Sequence, residues 1–198
     1  EYYNRQYGLN GFSVIPCNLY GTNDSFDPTH SHVLSALVKK ISDAHNNGSS
    51  EVVVWGTGNA KREFMHVDDC AAAIIFLFEN YNQNDFINVG VGEDISIKAL
   101  AELIAKKVSF NGKILFDSSK PDGMPRKCMD VSRLNRLGFH HTIELEKGIE
   151  QTITEYNNFI VNKRKKFKLT LEYLDPTGVV VQSIDIFVEK VLSIDFDD

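Results

Sequence analysis

The sequence predicts an α/β fold on three observations. Short apolar runs alternate with amphipathic stretches at helical spacing, turns rich in Asn, Asp, Gly and Pro separate them, and near residue 165 a period-two pattern replaces the helical rhythm.

Taken in order, Phe12-Ser13-Val14-Ile15 reads as a buried strand and Pro16 to His30 as a loop. Ser31 is placed to cap a helix that carries Val33, Leu34, Leu37, Val38 and Ile41 on one face, ending at Gly48-Ser49-Ser50. Glu51 to Trp55 is a second strand, closed by Gly56-Thr57-Gly58. Arg62 to Val67 is extended, and Asp68 or Asp69 is the expected cap of an apolar helix reaching about Glu79. Phe86 to Val89 is a strand, Ser96 caps a helix from Ile97 to about Val108, and Lys113 to Phe116 is extended. Leu145 to about Phe159 supplies a last helix. After it, Phe167, Leu169, Leu171 and Tyr173 alternate with polar residues, Asp175-Pro176-Thr177-Gly178 makes a turn, and Val179 to Val188 returns as a strand. The tail is therefore a β-hairpin. Two strands alone are marginal in water, so it must dock, pair with another chain or belong to a larger β module.

The 198 residues, 42% hydrophobic, suffice for one well-buried domain with a small appendage. Ala71 to Phe78, the longest apolar stretch, is far too short to span a bilayer, and no signal segment opens the chain; a cytoplasmic protein without a membrane partner is expected. Cys17, Cys70 and Cys128 are odd in number and form no CxxC, which argues against a disulfide framework and against a metal site. The net charge of −6 disfavours nucleic acid as a partner, although an acidic protein can still hold an anion in a locally basic cleft. Glu1-Tyr2-Tyr3-Asn4-Arg5 starts without an initiator Met inside a helical pattern, and the sequence reads as a fragment.

Three clusters carry the chemistry. Pro16-Cys17-Asn18-Leu19-Tyr20-Gly21 follows a strand, at the carboxyl edge where open α/β sheets bind ligands; Asn18 can donate and accept there, or simply satisfy its own backbone in a turn. In Ser31-His32-Val33 the histidine sits in the first turn of the predicted helix. The positive end of the dipole favours proton donation there, and the competing role is ordinary surface packing. Arg62-Glu63-Phe64 lies beyond a glycine-rich turn preceded by Trp55: a guanidinium fork matches diphosphate oxygens, and an indole can cover a sugar face. Lys39, Lys40, Arg126 and Lys127 can add positive charge to that cleft or remain solvated. His66-Val67-Asp68-Asp69 has metal-ligand types but is better explained as a helix cap. Gly56-x-Gly58 and Gly90-x-Gly92 are short turns, and neither completes GxGxxG. Lys163-Arg164-Lys165-Lys166 is read as a solvated, dipole-stabilising helix end.

In order and spacing, YNRQYGLN (from Tyr3), PCNLYG (from Pro16), NDSFDPTHSHVLSAL (from Asn23), VVVWGTG (from Val52), REFMHVDD (from Arg62), INVGVGEDISI (from Ile87) and FDSSKPDGMPRKCMDVSRLNRLG (from Phe116) resemble the GDP-L-fucose synthase family. The resemblance covers about residues 1 to 160, leaving 161 to 198 as a basic linker and hairpin tail of unknown role. REFMHVDD is common to extended short-chain dehydrogenases acting on nucleotide sugars; SKPDGMPRK together with NLYG and the SHV helix is narrower. The resemblance implies the C-terminal part of an extended short-chain dehydrogenase, namely the end of a Rossmann-type parallel sheet plus the substrate-binding domain.

It also implies roles. His32 corresponds to the proton donor in an epimerisation at two carbons of GDP-4-keto-6-deoxy-D-mannose, before hydride from NADPH reduces the ketone. Asn18 would touch substrate, Pro16, Asn18, Leu19 and His32 would lie against the cofactor, and Trp55, Arg62 and Lys127 would hold GDP. Lys40 would reach substrate as a point charge where the family often has arginine. Cys17 stands where a small hydroxylated residue is common. The family's glycine-rich NADP turn, serine, reactive cysteine, and tyrosine with a lysine four residues on all precede the start of this chain. The expectation is thus a homodimeric enzyme when complete, with NADP bound mainly by a missing N-terminal half, and a chain inactive by itself. Two alternatives stay open: a catalytically incomplete GDP-sugar-binding module, or a structural or assembly component whose tail pairs edge to edge.

Overall fold

The computed structural model describes residues 2–9, 11–27, 30–165, 168–174 and 180–187. A short helix α1 (Tyr2–Tyr7) precedes β1 (Ser13–Pro16) and β2 (Asn18–Tyr20). Next come α2 (Val33–Asn46), β3 (Glu51–Trp55), β4 (Lys61–Arg62), β5 (Phe64–His66) and α3 (Val67–Asn80). They are followed by β6 (Phe86–Val89), β7 (Ile95–Ser96), α4 (Ile97–Val108), β8 (Lys113–Asp117), β9 (Arg126–Lys127), α5 (Ser132–Arg136) and α6 (Leu145–Lys165). The last elements are β10 (Lys168–Leu174) and β11 (Val180–Phe187).

Parallel pairing dominates: β1 runs with β6, β2 with β5, and β3 with β8 from Glu51↔Lys113 to Trp55↔Asp117. A small mixed sheet is ordered β7-β4-β9, with β7 antiparallel to β4 and β9 parallel to it. This is the α/β arrangement the alternating pattern predicts. Val52 and Val54 face inward from β3 while Glu51, Val53 and Trp55 face out, the period of two that a half-buried strand imposes. Leu34, Leu37, Val38 and Ile41 of α2 are buried at the helical spacing read from the sequence, while Val33, expected on the same face, is exposed; Leu100, Ala101 and Ile104 of α4 are buried at a like spacing. A second cluster gathers Met65, Cys70, Ala73, Leu77, Ile87, Val89 and Leu134 around β5, β6 and α3.

Two caps differ from expectation. His66, ahead of Asp68 and Asp69, is the N-cap of α3, its Nδ1 accepting from the Asp68 amide at 3.3 Å. His32, and not Ser31, holds the N-cap position of α2 with extended backbone, so it precedes the first turn. Ser96 caps α4 as predicted, its Oγ accepting from the Ala99 amide at 3.1 Å. The segment read as a loop from Pro16 contains β2, three residues too few to show periodicity.

Asp69 is buried because it is a stitch. Its carboxylate accepts from the Thr142 amide (3.0 Å), the Thr142 hydroxyl (2.9 Å) and the Ile143 amide (2.8 Å), tying α3 to the segment before α6. Chain contacts divide the molecule after Ile153. In the second unit, β10 and β11 pair antiparallel from Lys168↔Phe187 to Leu174↔Val180, and the Tyr156 and Phe159 rings stack at 6.4 Å. The predicted Asp175 to Gly178 turn and Lys166 of the basic run lie outside the described residues.

Burial pushes the Asp69 carboxyl upward, but bonds from Ile143 and Thr142 outweigh it and hold the group below the usual range. A lowered carboxyl contributes stability above its unfolded pKa and loses it as pH falls through the folded one. Asp69→Ala is expected to destabilise the chain by about 1 to 3 kcal/mol at neutral pH. In urea titrations the gap to wild type should narrow on acidification, and a widening gap would contradict the stitch.

Candidate functional site

A cavity of about 690 Å³ opens between α2, the end of β3, β4 and the segment after β8. Its floor is apolar, with Val33, Leu37, Val54, Ala60 and Ile97, and its polar rim carries Ser31, Lys40, Trp55, Arg62 and Asp122. That combination suits a ligand with one flat apolar part and one anionic part.

Each rim residue is placed by its element. Trp55 ends β3 on the outward side, its ring exposed and the Lys120 ammonium 5.7 Å from the centroid. Lys40 leaves α2 and donates to the Val53 carbonyl at 2.7 Å, which holds its ammonium beside the strand end. Arg62 donates through Nη1 to the carbonyls of Lys61 and Met124, both at 2.7 Å, so the guanidinium is anchored to the segment that walls the cavity. Asp122 closes that wall. Its Oδ1 accepts from the Thr57 amide at 2.7 Å and its Oδ2 from the Thr57 hydroxyl at 2.5 Å, and these bonds hold its carboxyl below the usual range. The turn beneath requires Gly56: its φ is +86° and a side chain there would strike the Asp122 carboxylate.

Lys39, Lys40 and Arg62 are the cations of the lining, and Asp43 and Asp122 its carboxylates. Lys39 pairs with Asp43 at 2.7 Å, Lys40 and Arg62 are held by carbonyl oxygens, and Asp122, bonded to Thr57, is near enough to Arg62 to feel its charge. Lys127 does not line the cavity but is the cross-strand partner of Arg62 in the β4–β9 pair. Partners in a parallel pair share a face. Arg62 and Lys127 therefore stand side by side, 65 positions apart in sequence.

The other expected residues lie near the carboxyl end of β1 and the start of α2. Pro16, Asn18 and Leu19 pass from β1 into β2, and Asn18 donates from Nδ2 to the Glu63 carbonyl at 2.7 Å, so its amide is used across strands and not on its own turn. His32 is flanked by Ser31 and Val33, both in the cavity lining, and its ring is largely exposed. The Cys17 thiol is pushed up to about 12 by burial, then by Glu63 and Cys70, which makes it a packing group and not a nucleophile.

Sequence reasoning passed over Glu63. It is buried, and its carboxylate accepts from three backbone amides: Val91 (2.6 Å) and Gly92 (2.7 Å) on Oε1, Met129 (2.6 Å) on Oε2. Gly90 has no side chain because one would collide with that carboxylate. The only sequence signal was a charged residue inside an extended apolar segment. Asp122 was likewise hidden, because Pro121-Asp122-Gly123 reads as an ordinary turn.

Residues 1–90 match the NAD dependent epimerase/dehydratase family. A probable GDP-L-fucose synthase 1 of Oryza sativa subsp. japonica is 45% identical over 163 residues, 82% of this chain and 50% of that protein. The GDP-L-fucose synthase of Escherichia coli (strain K12) is 46% identical over 172 residues, 82% of this chain and 53% of that protein. A GDP-L-fucose synthetase from Naegleria fowleri bound to NADP superposes with a TM-score of 0.70 at 33% identity, over 74% of this chain and 46% of that one. Fold and sequence together define the chain as part of an extended short-chain dehydrogenase of the epimerase/dehydratase kind. Within that class it is homologous to the GDP-L-fucose synthases, and it spans about half the length of the curated relatives it matches.

Removing the three-amide acceptor should be the most disruptive change near the site. Glu63→Ala is expected to cost about 3 kcal/mol or more, since three buried N–H groups lose their partner, and Glu63→Gln to fall in between. Chemical denaturation of the two variants checks the order. Asp122→Ala should leave the core intact yet raise protease cleavage between residues 117 and 126, and an unchanged digestion pattern would show that the wall is held by other bonds.

Proposed function

We propose that this chain supplies the nucleotide-sugar site of a GDP-L-fucose synthase. The reaction is NADP-dependent epimerisation of GDP-4-keto-6-deoxy-D-mannose at two ring carbons, then reduction to GDP-L-fucose. One observation carries the reading: Trp55, Lys40 and Arg62 share the rim of one cavity, with Lys127 beside Arg62 on the neighbouring strand. Trp55 would cover the ribose or base face, Arg62 and Lys127 would hold the diphosphate, and Lys40 would point a single charge at the sugar end. His32 would donate a proton to a ring carbon during epimerisation.

The cofactor fit is partial. Pro16 ends a parallel strand and Asn18 and Leu19 follow it, at the edge where sheets of this kind take a nicotinamide, but the chain holds no GxGxxG turn for the pyrophosphate. NADPH, when bound, supplies the hydride that reduces the 4-ketone. Residues of this chain would bind and orient the sugar nucleotide and move protons, while most of the cofactor's grip would come from a partner half. A homodimer and a cytoplasmic setting belong to the same proposal and rest on the family resemblance; among the described residues no helix is long and apolar enough to cross a membrane.

A second reading is GDP-sugar binding without turnover. It is favoured by a sequence that pairs a cavity rimmed by Trp55, Lys40 and Arg62 with no GxGxxG turn.

Calorimetry with GDP tests the site itself. Arg62→Ala is expected to weaken binding at least about tenfold, the scale of a hydrogen bond between charged groups, and Arg62→Lys should restore little because the fork is lost. Absence of heat with wild type at millimolar GDP, or an Arg62→Ala isotherm identical to wild type, would refute both readings. NADPH consumption with the 4-keto sugar after adding a relative's cofactor-binding half separates them: turnover selects the enzyme, binding alone the module.

A further inference from the structure

Asp24 is fixed in place before His32 is considered. Its carboxylate is only 13% exposed; Oδ1 accepts from the Ser25 amide at 2.8 Å, and Oδ2 takes the hydroxyl of Ser35, which is fully buried in the first turn of α2. The Asp24 amide also donates to the Gly21 carbonyl at 3.0 Å, so backbone and side chain are both held. Against this rigid acceptor stands the His32 ring, 74% exposed, with Nδ1 at 3.5 Å from Asp24 Oδ1. That separation is at the long limit for a hydrogen bond, and bonds of this kind tighten when a ligand is bound. A neighbouring pair is unlike it. His30 and Asp27 approach more closely, at 3.2 Å, but are 83% and 53% exposed, so neither side of that pair is held in place by burial.

We infer that Asp24, held by Ser35, is the positioning residue of His32: it keeps a proton on Nδ1, so that Nε2 is the atom that exchanges a proton with substrate. This rests on the proton-donor reading of His32 above. The step balances simply. The N–H bond at Nε2 of the imidazolium breaks and its electron pair stays on nitrogen, while the electron pair of the substrate's enolate carbon forms the new C–H bond. His32 is left neutral with its remaining proton on Nδ1, facing a carboxylate that stabilised the cation and now fixes the tautomer. Solvent water recharges Nε2. Without Asp24 a neutral imidazole in water prefers its proton on Nε2, and the ring would present the wrong atom.

The test reads the tautomer directly, by ¹⁵N NMR of the imidazole nitrogens in the full 198-residue chain, above the ordinary imidazole titration range. The His32 signals are those lost in His32→Gln. Wild type should show mainly the Nδ1–H form. Asp24→Asn keeps the shape but turns an amide toward Nδ1, and should move the ratio roughly three- to tenfold toward Nε2–H, the effect of one charged acceptor discounted for solvent. Ser35→Ala should move it the same way by less. A wild-type ring mainly in the Nε2–H form, or a ratio unchanged in Asp24→Asn, overturns the assignment. If Asp24→Asn does not fold, an unchanged ratio in Ser35→Ala decides against it equally. His32→Gln in the reconstituted NADPH assay is separate: retained turnover removes the proton-donor role, whatever tautomer Asp24 selects.

Discussion

The Glu63 carboxylate holds the site in register. It takes the amides of Val91 and Gly92 on one oxygen and of Met129 on the other, while the Glu63 carbonyl takes Asn18 and its own amide reaches the Lys127 carbonyl at 3.2 Å. Three separate stretches of chain thus converge on one residue. Burying a carboxylate is costly unless its lone pairs are filled, and here backbone donors fill them without any cation. The pairs β4–β9 and β4–β7 are only two residues long and bring little ladder energy of their own. Side-chain anchoring next door is what lets so short a sheet keep a fixed geometry.

That geometry is what a diphosphate would need. Arg62 precedes Glu63 and Lys127 lies two residues before Met129, so the residue whose carboxylate grips Met129 also sets the spacing of the two cations across β4 and β9. The wall beside Arg62 is fixed in the same manner, since Asp122 grips both the amide and the hydroxyl of Thr57. Arg62 completes the circuit by donating to Met124. A ligand entering the cavity therefore meets donors held by the protein's own backbone, which lowers the ordering cost of binding.

Much of this fold could be read from residue order because the controlling forces are local. The β3 strand, Glu51 to Trp55, matches its predicted bounds, since alternating valines between glycine turns leave few other options. The α4 helix begins where Ser96 says it should. The caps of α2 and α3 lie one to three residues from the expected positions, because histidine, a poor capping residue by propensity, holds both: His32 follows Ser31 and makes no side-chain cap bond, and His66 precedes Asp68 and Asp69. Strands β2, β4 and β9 fall below the length at which a period shows. In the site, Trp55, Lys40 and Arg62 were legible as types suited to a nucleotide sugar. Glu63, Asp122 and Asp24 were not, because each acts through partners 11 to 66 positions away.

In a chain of net charge −6, the rim cations Lys40 and Arg62 stand among carboxylates that are each held by their own partners. Glu63 and Asp69 are spent on backbone amides, and Asp117, Asp122 and Asp130 take bonds from Ser119, Thr57 and Ser132 that hold each carboxyl below its usual range. Three of them also feel neighbouring cations: Lys120 beside Asp117, Arg62 beside Asp122, and Arg136 and Arg133 beside Asp130. A neutral donor fixes a carboxylate without cancelling its charge, so Asp122, which lines the cavity, still offsets part of the field of Arg62. Lys40 and Arg62 are pinned by carbonyl oxygens, neutral acceptors that fix position without cancelling charge. The balance of charge at the rim follows from which partners each charge is given, a property of the folded contacts that composition cannot express.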